Sequence, residues 1–257
     1  MMTDLPRYPD LADASVLVTG GASGIGAALV DGFARQGAKV ALIDLADGTA
    51  LADALAAEGA HRPLPLQANL TDHAALSDAL DAAAEAHGPI TVLVNNAADD
   101  VRSTVEDITP EAWDASLAVN LNHLFFAAQK LAPGMAAAGG GSIVNYSSIT
   151  YRMGFPNLVP YVTAKAGIVG MTRSLARAWG PEGIRVNAIS PGMILTEKQL
   201  ASRVSEDDIA RFQEKQALKR RLWAEDLVGP TLFLASKASG AITGQVLGVD
   251  GGAEMIG

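Results

Sequence analysis

The sequence predicts a single doubly wound α/β domain built on a parallel sheet of about seven strands. Short β-branched runs alternate with longer helical patterns almost from end to end. The strand runs are continuously apolar, as strands covered on both faces must be. Unusual polar residues gather at their carboxyl ends, the edge where ligands bind in such sheets. Right-handed crossovers then give a Rossmann-like topology. No linker, repeat or low-complexity stretch divides residues 1–257, so one domain is expected.

The elements follow in order. Residues 15–19 (SVLVT) form a buried strand, then Gly-rich sequence opens a helix running to about Gln36. A second strand covers 39–45, with Asp44 near its end, and a helix near 49–58 leads to a short strand at 64–67. An Ala-rich helix at 72–87 stops at Gly88-Pro89, before a fourth strand at 91–95. Thr109-Pro110 opens one long helix over 111–138, whose end Pro133 and Gly134 should disturb. A fifth strand at 142–146, a helix over 160–179 and a sixth strand at 185–189 come next. Residues 190–221 read as irregular, a substrate lid, ahead of a helix at 224–235 and a last strand at 245–249.

Composition narrows the function. There are no cysteines, which removes disulfides, thiol catalysis and Cys-ligated zinc. The four histidines (61, 73, 87, 123) have no metal-ligand spacing and are expected at the surface or at helix ends, so no metal is expected. A net charge of −9 argues against nucleic acid or an anionic membrane as partner. The start, Met1 to Arg7, lacks the basic and apolar regions of a signal peptide, and no apolar run reaches the roughly 20 residues of a membrane span. A cytoplasmic protein is expected.

Thr19-Gly20-Gly21-Ala22-Ser23-Gly24-Ile25-Gly26 joins the first strand to the first helix. Glycines there admit positive φ and close backbone approach, so that the helix N-terminus can face a pyrophosphate. Gly20, Ser23, Gly24, Ile25 and Gly26 are therefore cofactor-binding candidates. Asp44 could accept bonds from both ribose hydroxyls of the adenosine half and would repel a 2′-phosphate; it could equally be a turn aspartate. Leu45 beside it and Ser23 in the loop offer no positive charge. NAD is favoured over NADP.

Tyr161 and Lys165 open the helix after the fifth strand. Spacing i, i+4 puts phenol and ammonium on one face, with Cβ atoms about 5–6 Å apart. A free tyrosine titrates near 10 and is a poor base at neutral pH. A positive charge at about 4 Å in an effective dielectric of about 20 is worth roughly 4 kcal/mol, or about three pKa units. Such a pair could exchange a proton with an alcohol near neutral pH, although the same spacing occurs by chance in many helices.

The T-G-x-x-x-G-x-G spacing, followed in order by Asn95-Asn96-Ala97-Ala98, Ser148, Tyr161-x-x-x-Lys165 and Pro191-Gly192, resembles the short-chain dehydrogenase/reductase superfamily from Val16 to Gly252. Ala98 replaces the usual glycine of the N-N-A-G block, and Asn69-Leu70 stands where many relatives carry Asp before an apolar residue, facing adenine. The resemblance implies cofactor contacts from Asn69, Leu70, Asn96, Ala97, Tyr161, Lys165, Pro191, Gly192, Ile194 and Thr196. It makes Ser148, not its rival Ser147, the substrate-orienting serine. It also makes Asn120 a water-holding member of a proton relay behind Lys165, where an exposed helix asparagine is the plainer reading. A homotetramer pairing the two long helices and packing the C-terminal strand is implied too.

Around the expected pocket lie Asp99, Asp100, Arg102, Tyr151, Arg152, Asn157, Glu197, Lys198 and Gln199. This polar set suits a polyhydroxylated substrate, because each buried hydroxyl needs a partner. Asp99, Arg102, Ser148, Tyr151, Asn157 and Tyr161 are the substrate candidates. Residues 95–102, 132–135, 148–154, 195–199 and 217–221 are similar to the bacterial NAD-dependent aldose 1-dehydrogenases of the D-xylose type, which implies oxidation of an anomeric carbon to a lactone. The alternatives are a sugar-alcohol or deoxy-sugar-acid dehydrogenase, a 3-oxoacyl thioester reductase, or a non-catalytic NAD-binding protein.

Overall fold

The computed structural model describes residues 5–255, with the side chain of Ser202 excepted. The first four residues of the stretch judged for a leader, and the last two of the expected domain, lie outside the described residues. Seven parallel strands form one sheet in the order β3-β2-β1-β4-β5-β6-β9. These are β1 (Ser15–Thr19), β2 (Lys39–Asp44), β3 (Leu64–Gln67), β4 (Val92–Asn95), β5 (Gly141–Tyr146), β6 (Ile184–Pro191) and β9 (Val246–Val249). A two-stranded ribbon, β7 (Ile194–Leu195) with β8 (Leu222–Trp223), stands beyond β6. The single α/β domain and seven-stranded parallel sheet are as the sequence predicts.

Successive side chains on a strand point to opposite faces, and two cores result. Val16, Val18, Val40, Leu42 and Val94 pack with Leu29, Val30 and Phe33 of α1 (Gly24–Arg35) and Leu232 of α10 (Val228–Ala235). Leu17, Ala41, Ile43, Leu93 and Ile143 pack on the other face with Leu76 and Leu80 of α3 (His73–His87) and Leu131 and Met135 of α5 (His123–Ala137). The second crossover helix, α2 (Thr49–Ala57), adds Leu55 to the first core. Asp72 caps α3 by accepting from the backbone N–H of Ala74 and Ala75, which fixes its start one residue later than expected.

Two expectations are corrected. The long helix is divided into α4 (Pro110–Leu117), a π turn (Ala118–Asn122) and α5, and its disturbance lies at this turn, while Pro133 sits inside a continuous α5. Residues 190–221 are ordered: β6 runs on to Pro191, and α8 (Glu197–Ser202) and α9 (Glu206–Lys215) follow β7. Thr196 and Ser205 cap these helices, and Ile209 and Phe212 give α9 a buried apolar face. His123 stands at a helix end, one of the two places expected, and is buried there. A short helix, α6 (Thr150–Met153), precedes α7 (Val159–Trp179), and neither α6 nor the π turn has a periodic hydrophobic signature to announce it. No helix among the described residues is long and apolar enough to cross a membrane.

Candidate active site

The strand order reverses between β1 and β4, which opens a crevice at their carboxyl ends. The buried Thr19 hydroxyl accepts from the backbone N–H of Asn96 (3.1 Å) and Ala97 (3.2 Å). Asn96 Nδ2 donates back to the carbonyls of Thr19 and Gly20, both at 3.1 Å. These bonds tie the glycine loop to the end of β4. At Gly26 a Cβ would stand 1.7 Å from the Gly20 carbonyl oxygen, and Gly20 itself has φ +66°. At Gly24 (φ +53°) an added Cβ would stand 3.4 Å from Thr196 Cγ2, so the segment after β6 lies over the loop. The loop is thus a cradle of bare backbone at the start of α1, with Ser23 and Ile25 on its rim, and it fits a dinucleotide pyrophosphate.

Asp44 Oδ2 accepts from Ala22 N (2.9 Å) and Oδ1 from Ala46 N (3.0 Å). The carboxylate is a turn residue and still keeps acceptor lone pairs for a ribose. Leu45 beside it is 65 % exposed. Asn69 Oδ1 is engaged by the backbone N–H and hydroxyl of Thr71, while Leu70 is buried in the second core. Across the crevice, Pro191 and Ile194 are buried, and Gly192 approaches Asp250 so closely that a Cβ would stand 2.8 Å from its Cα.

Tyr161 and Lys165 lie on one face of α7, with the ammonium 5.3 Å from the phenol ring centroid. Lys165 is 2 % exposed and donates to the Tyr146 carbonyl at 2.8 Å. Ser148, just past β5, has its hydroxyl near enough to the Tyr161 phenol to favour its ionised form, and accepts from Thr150 N at 3.2 Å. Ser147 donates to the Lys165 carbonyl at 2.8 Å, so the rival serine is occupied in docking α7 on β5. Asn120 is fully buried in the π turn: its Nδ2 donates to the carbonyls of Asp99 (2.9 Å) and Ser116 (3.0 Å), and its Oδ1 accepts from Asp99 N (2.9 Å). The exposed-asparagine reading is thereby excluded.

The electrostatics differ from the sequence argument. The i, i+4 spacing predicts an ammonium that draws the phenol down toward neutrality. In the folded chain, burial pushes the Tyr161 phenol up, the Asp100 carboxylate adds to this, and the Ser148 hydroxyl works against it. Burial pushes Lys165 down to about 7. Both groups are therefore held toward their neutral forms. Phenol with amine and phenolate with ammonium carry the same net charge, so a proton can pass within the pair without a change in total charge.

The polar pocket residues divide. Lys198 Nζ lies 3.1 Å from Asp99 Oδ1, and Arg203 reaches Asp99 at 3.7 Å and Asp100 at 3.9 Å. Gln199 Nε2 stands 3.4 Å from Asp100 Oδ2. The loop after β4 is so joined to α8 above Tyr161. Tyr151 Oη accepts from Arg152 Nε at 2.7 Å, and Arg102 and Asn157 are exposed at the rim. Sequence reasoning missed Arg203 and His123. Three residues after Asn120, His123 had a helical-spacing signal; Arg203 had none.

A dinucleotide cradle beside a buried serine and lysine and a half-buried tyrosine defines an NAD(P)-binding oxidoreductase acting on CH–OH groups. Residues 20–254 match the family model described as enoyl-(acyl carrier protein) reductase. The chain is 54 % identical over 248 residues to a probable galactose dehydrogenase of Rhizobium meliloti (strain 1021), covering 96 % of this chain and 97 % of that protein. It is 43 % identical over 245 residues to the D-xylose 1-dehydrogenase of Caulobacter vibrioides (strain NA1000 / CB15N), covering 95 % and 97 %. A solved structure from Beutenbergia cavernae, named as a candidate NAD(P)-dependent gluconate 5-dehydrogenase with NADP bound at low occupancy, superposes with a TM-score of 0.88. It is 34 % identical, covering 95 % of this chain and 98 % of that one. The chain belongs to the short-chain dehydrogenase/reductase family.

Proposed function

We propose that this protein oxidises the anomeric carbon of an aldose, a pentose or hexose, to the lactone, with NAD as acceptor. The carrying observation is the Ser148 hydroxyl beside the Tyr161 phenol, with the Asp100 carboxylate close enough to act on the phenol. Such a polar surround suits a polyhydroxylated substrate better than an acyl chain. The sugars in the names of the two curated relatives support the same substrate class.

Ser148 Oγ and Tyr161 Oη hydrogen-bond the substrate hydroxyl, and Tyr161 takes its proton. The C–H bond at the same carbon breaks with its electron pair, and the carbonyl of the lactone forms. NAD, held over the glycine cradle, would supply the acceptor for that hydride. Lys165 keeps the phenol in its working state, and Asn120 holds water on the path by which the proton leaves. Asp44 would accept from both adenosine ribose hydroxyls. A 2′-phosphate there would face a carboxylate, with only Leu45 alongside. Asp99, Arg102, Tyr151 and Asn157 complete the sugar site, and residues 190–221 act as its lid.

The enzyme is read as a cytoplasmic homotetramer. Phe126 on α5 and Leu247 on β9, each 38 % exposed, give the expected pairing faces apolar material. Sedimentation would check the stoichiometry. The decisive experiment is a panel of aldoses, polyols and sugar acids assayed with NAD and NADP through reduced-nicotinamide absorbance. Turnover of aldoses with NAD is expected. Activity confined to acyl thioesters with NADPH would overturn both substrate and cofactor.

A further inference from the structure

His123 is the first residue of α5, directly after the π turn that carries Asn120. It is 1 % exposed, and neither ring nitrogen has a hydrogen-bond partner among the described residues. The carbonyls of Ala118 and Val119, on the π turn and one helical turn back, face the ring without reaching bonding geometry. An unpaired buried polar nitrogen costs about 1–3 kcal/mol. An apolar side chain would suit a purely structural position here better. The ring lies within reach of the Lys165 charge. The helix that carries Lys165 packs hard on the π turn, where a Cβ at Gly167 would stand 3.1 Å from Leu121 Cδ2.

We propose that His123 is a positioning residue for the proton path: its neutral imidazole, presented by the π turn, bonds the water that links Lys165 with Asn120. This rests on the reading of Tyr161 and Lys165 given above. Burial first, and then the Lys165 charge, push His123 down to about 3, so the ring stays neutral through the working range. A neutral ring keeps one lone pair as an acceptor. It can therefore stabilise an ammonium, directly or through water, where a cationic ring would oppose one. Lys165, with the Tyr146 carbonyl as its direct acceptor, is thereby biased toward the charged form, and Tyr161 toward phenolate. The other ionisable group bearing on the pair is the Asp100 carboxylate, toward Tyr161; the Tyr146 phenol lies in the first core, bonded to Thr231 at 2.7 Å.

The test uses protein labelled with ¹⁵N in its histidine rings. The His123 signals are expected to show a neutral ring from pH 9 down to about 5. Their shift should follow a titration near 7, the Lys165 value, and Lys165→Met should abolish that response. In turnover, His123→Phe should shift the rising limb of the pH–kcat profile by about one unit to alkaline pH, which is about tenfold in rate at neutral pH. His123→Asn, which keeps a polar group, should stay within about threefold of the parent across the profile. A ring that titrates near 6.5, one blind to Lys165→Met, or a pH-independent loss in His123→Phe would overturn the proposal. If no aldose is turned over but the ring still follows Lys165, the sugar reading fails and this one stands.

Discussion

The glycine cradle and the lid face each other across the crevice and are held by opposite means. The cradle is set by sterics and buried hydrogen bonds: one added carbon at Gly26 would stand 1.7 Å from a backbone oxygen, and Asn96 and Thr19 tie the loop with four bonds of 3.1–3.2 Å. The lid is joined to the β4 loop by charged contacts of 3.1–3.9 Å, longer than the roughly 2.7–2.9 Å of a tight charge-assisted bond. A part shared by every substrate is locked. The part that selects among substrates is loosely latched, so it can change without unfolding the sheet.

Substitutions should reproduce that ranking. Tyr161→Phe should lower turnover by about three or more orders of magnitude while nucleotide affinity, read by fluorescence titration, stays near normal. Near-normal turnover would remove the chemistry assigned between the two regions. Gly26→Ala should cost about 3 kcal/mol in thermal unfolding and abolish measurable nucleotide binding; an unchanged melting curve would show the cradle to be softer than its contacts suggest. Asp44→Ala should weaken NAD by about ten- to a hundredfold and NADP by much less, as isothermal titration would report. Arg203→Ala should raise KM for the sugar a few-fold, with stability changed by less than about 1 kcal/mol and salt mimicking the effect in the parent.

Acid stability sharpens the contrast between buried and exposed ionisable groups. His123 has a folded pKa depressed from 6.5 to about 3, so the unfolded chain binds the extra proton between those values. Its contribution is fully present above pH 6.5 and is lost as pH falls toward 3. Acid unfolding of His123→Phe should therefore be less steep in that window, and an identical slope would place the ring in contact with solvent.

Much of this molecule was legible in its residues. Continuous runs such as Val16–Leu17–Val18 reveal strands buried on both sides, and the ordered blocks from Thr19 to Thr196 place the cradle and the tyrosine–lysine pair. What escaped has a physical reason. The π turn follows a helix with no buried residues, so no hydrophobic periodicity is there to mark the extra residue. Helices α8 and α9 are short, and α9 is mostly polar, so caps rather than apolar periodicity define them. The partners of Asp99 and Asp100 lie about a hundred positions away, and nothing local in the sequence joins them. The expected acidity of Tyr161 went astray because a pairwise charge argument omits the cost of enclosing both partners.

The π turn also sets a constraint on chain length. Each residue of an α-helix advances the side-chain direction by about 100°, so the extra residue rotates Asn120 relative to the face that α5 lays on the sheet. Deleting one position between Ala118 and Asn122 would restore an ordinary helix and swing either the amide or Leu131 and Met135 out of register. A substitution at the exposed Asn122 can be absorbed; a single-codon deletion in this segment cannot.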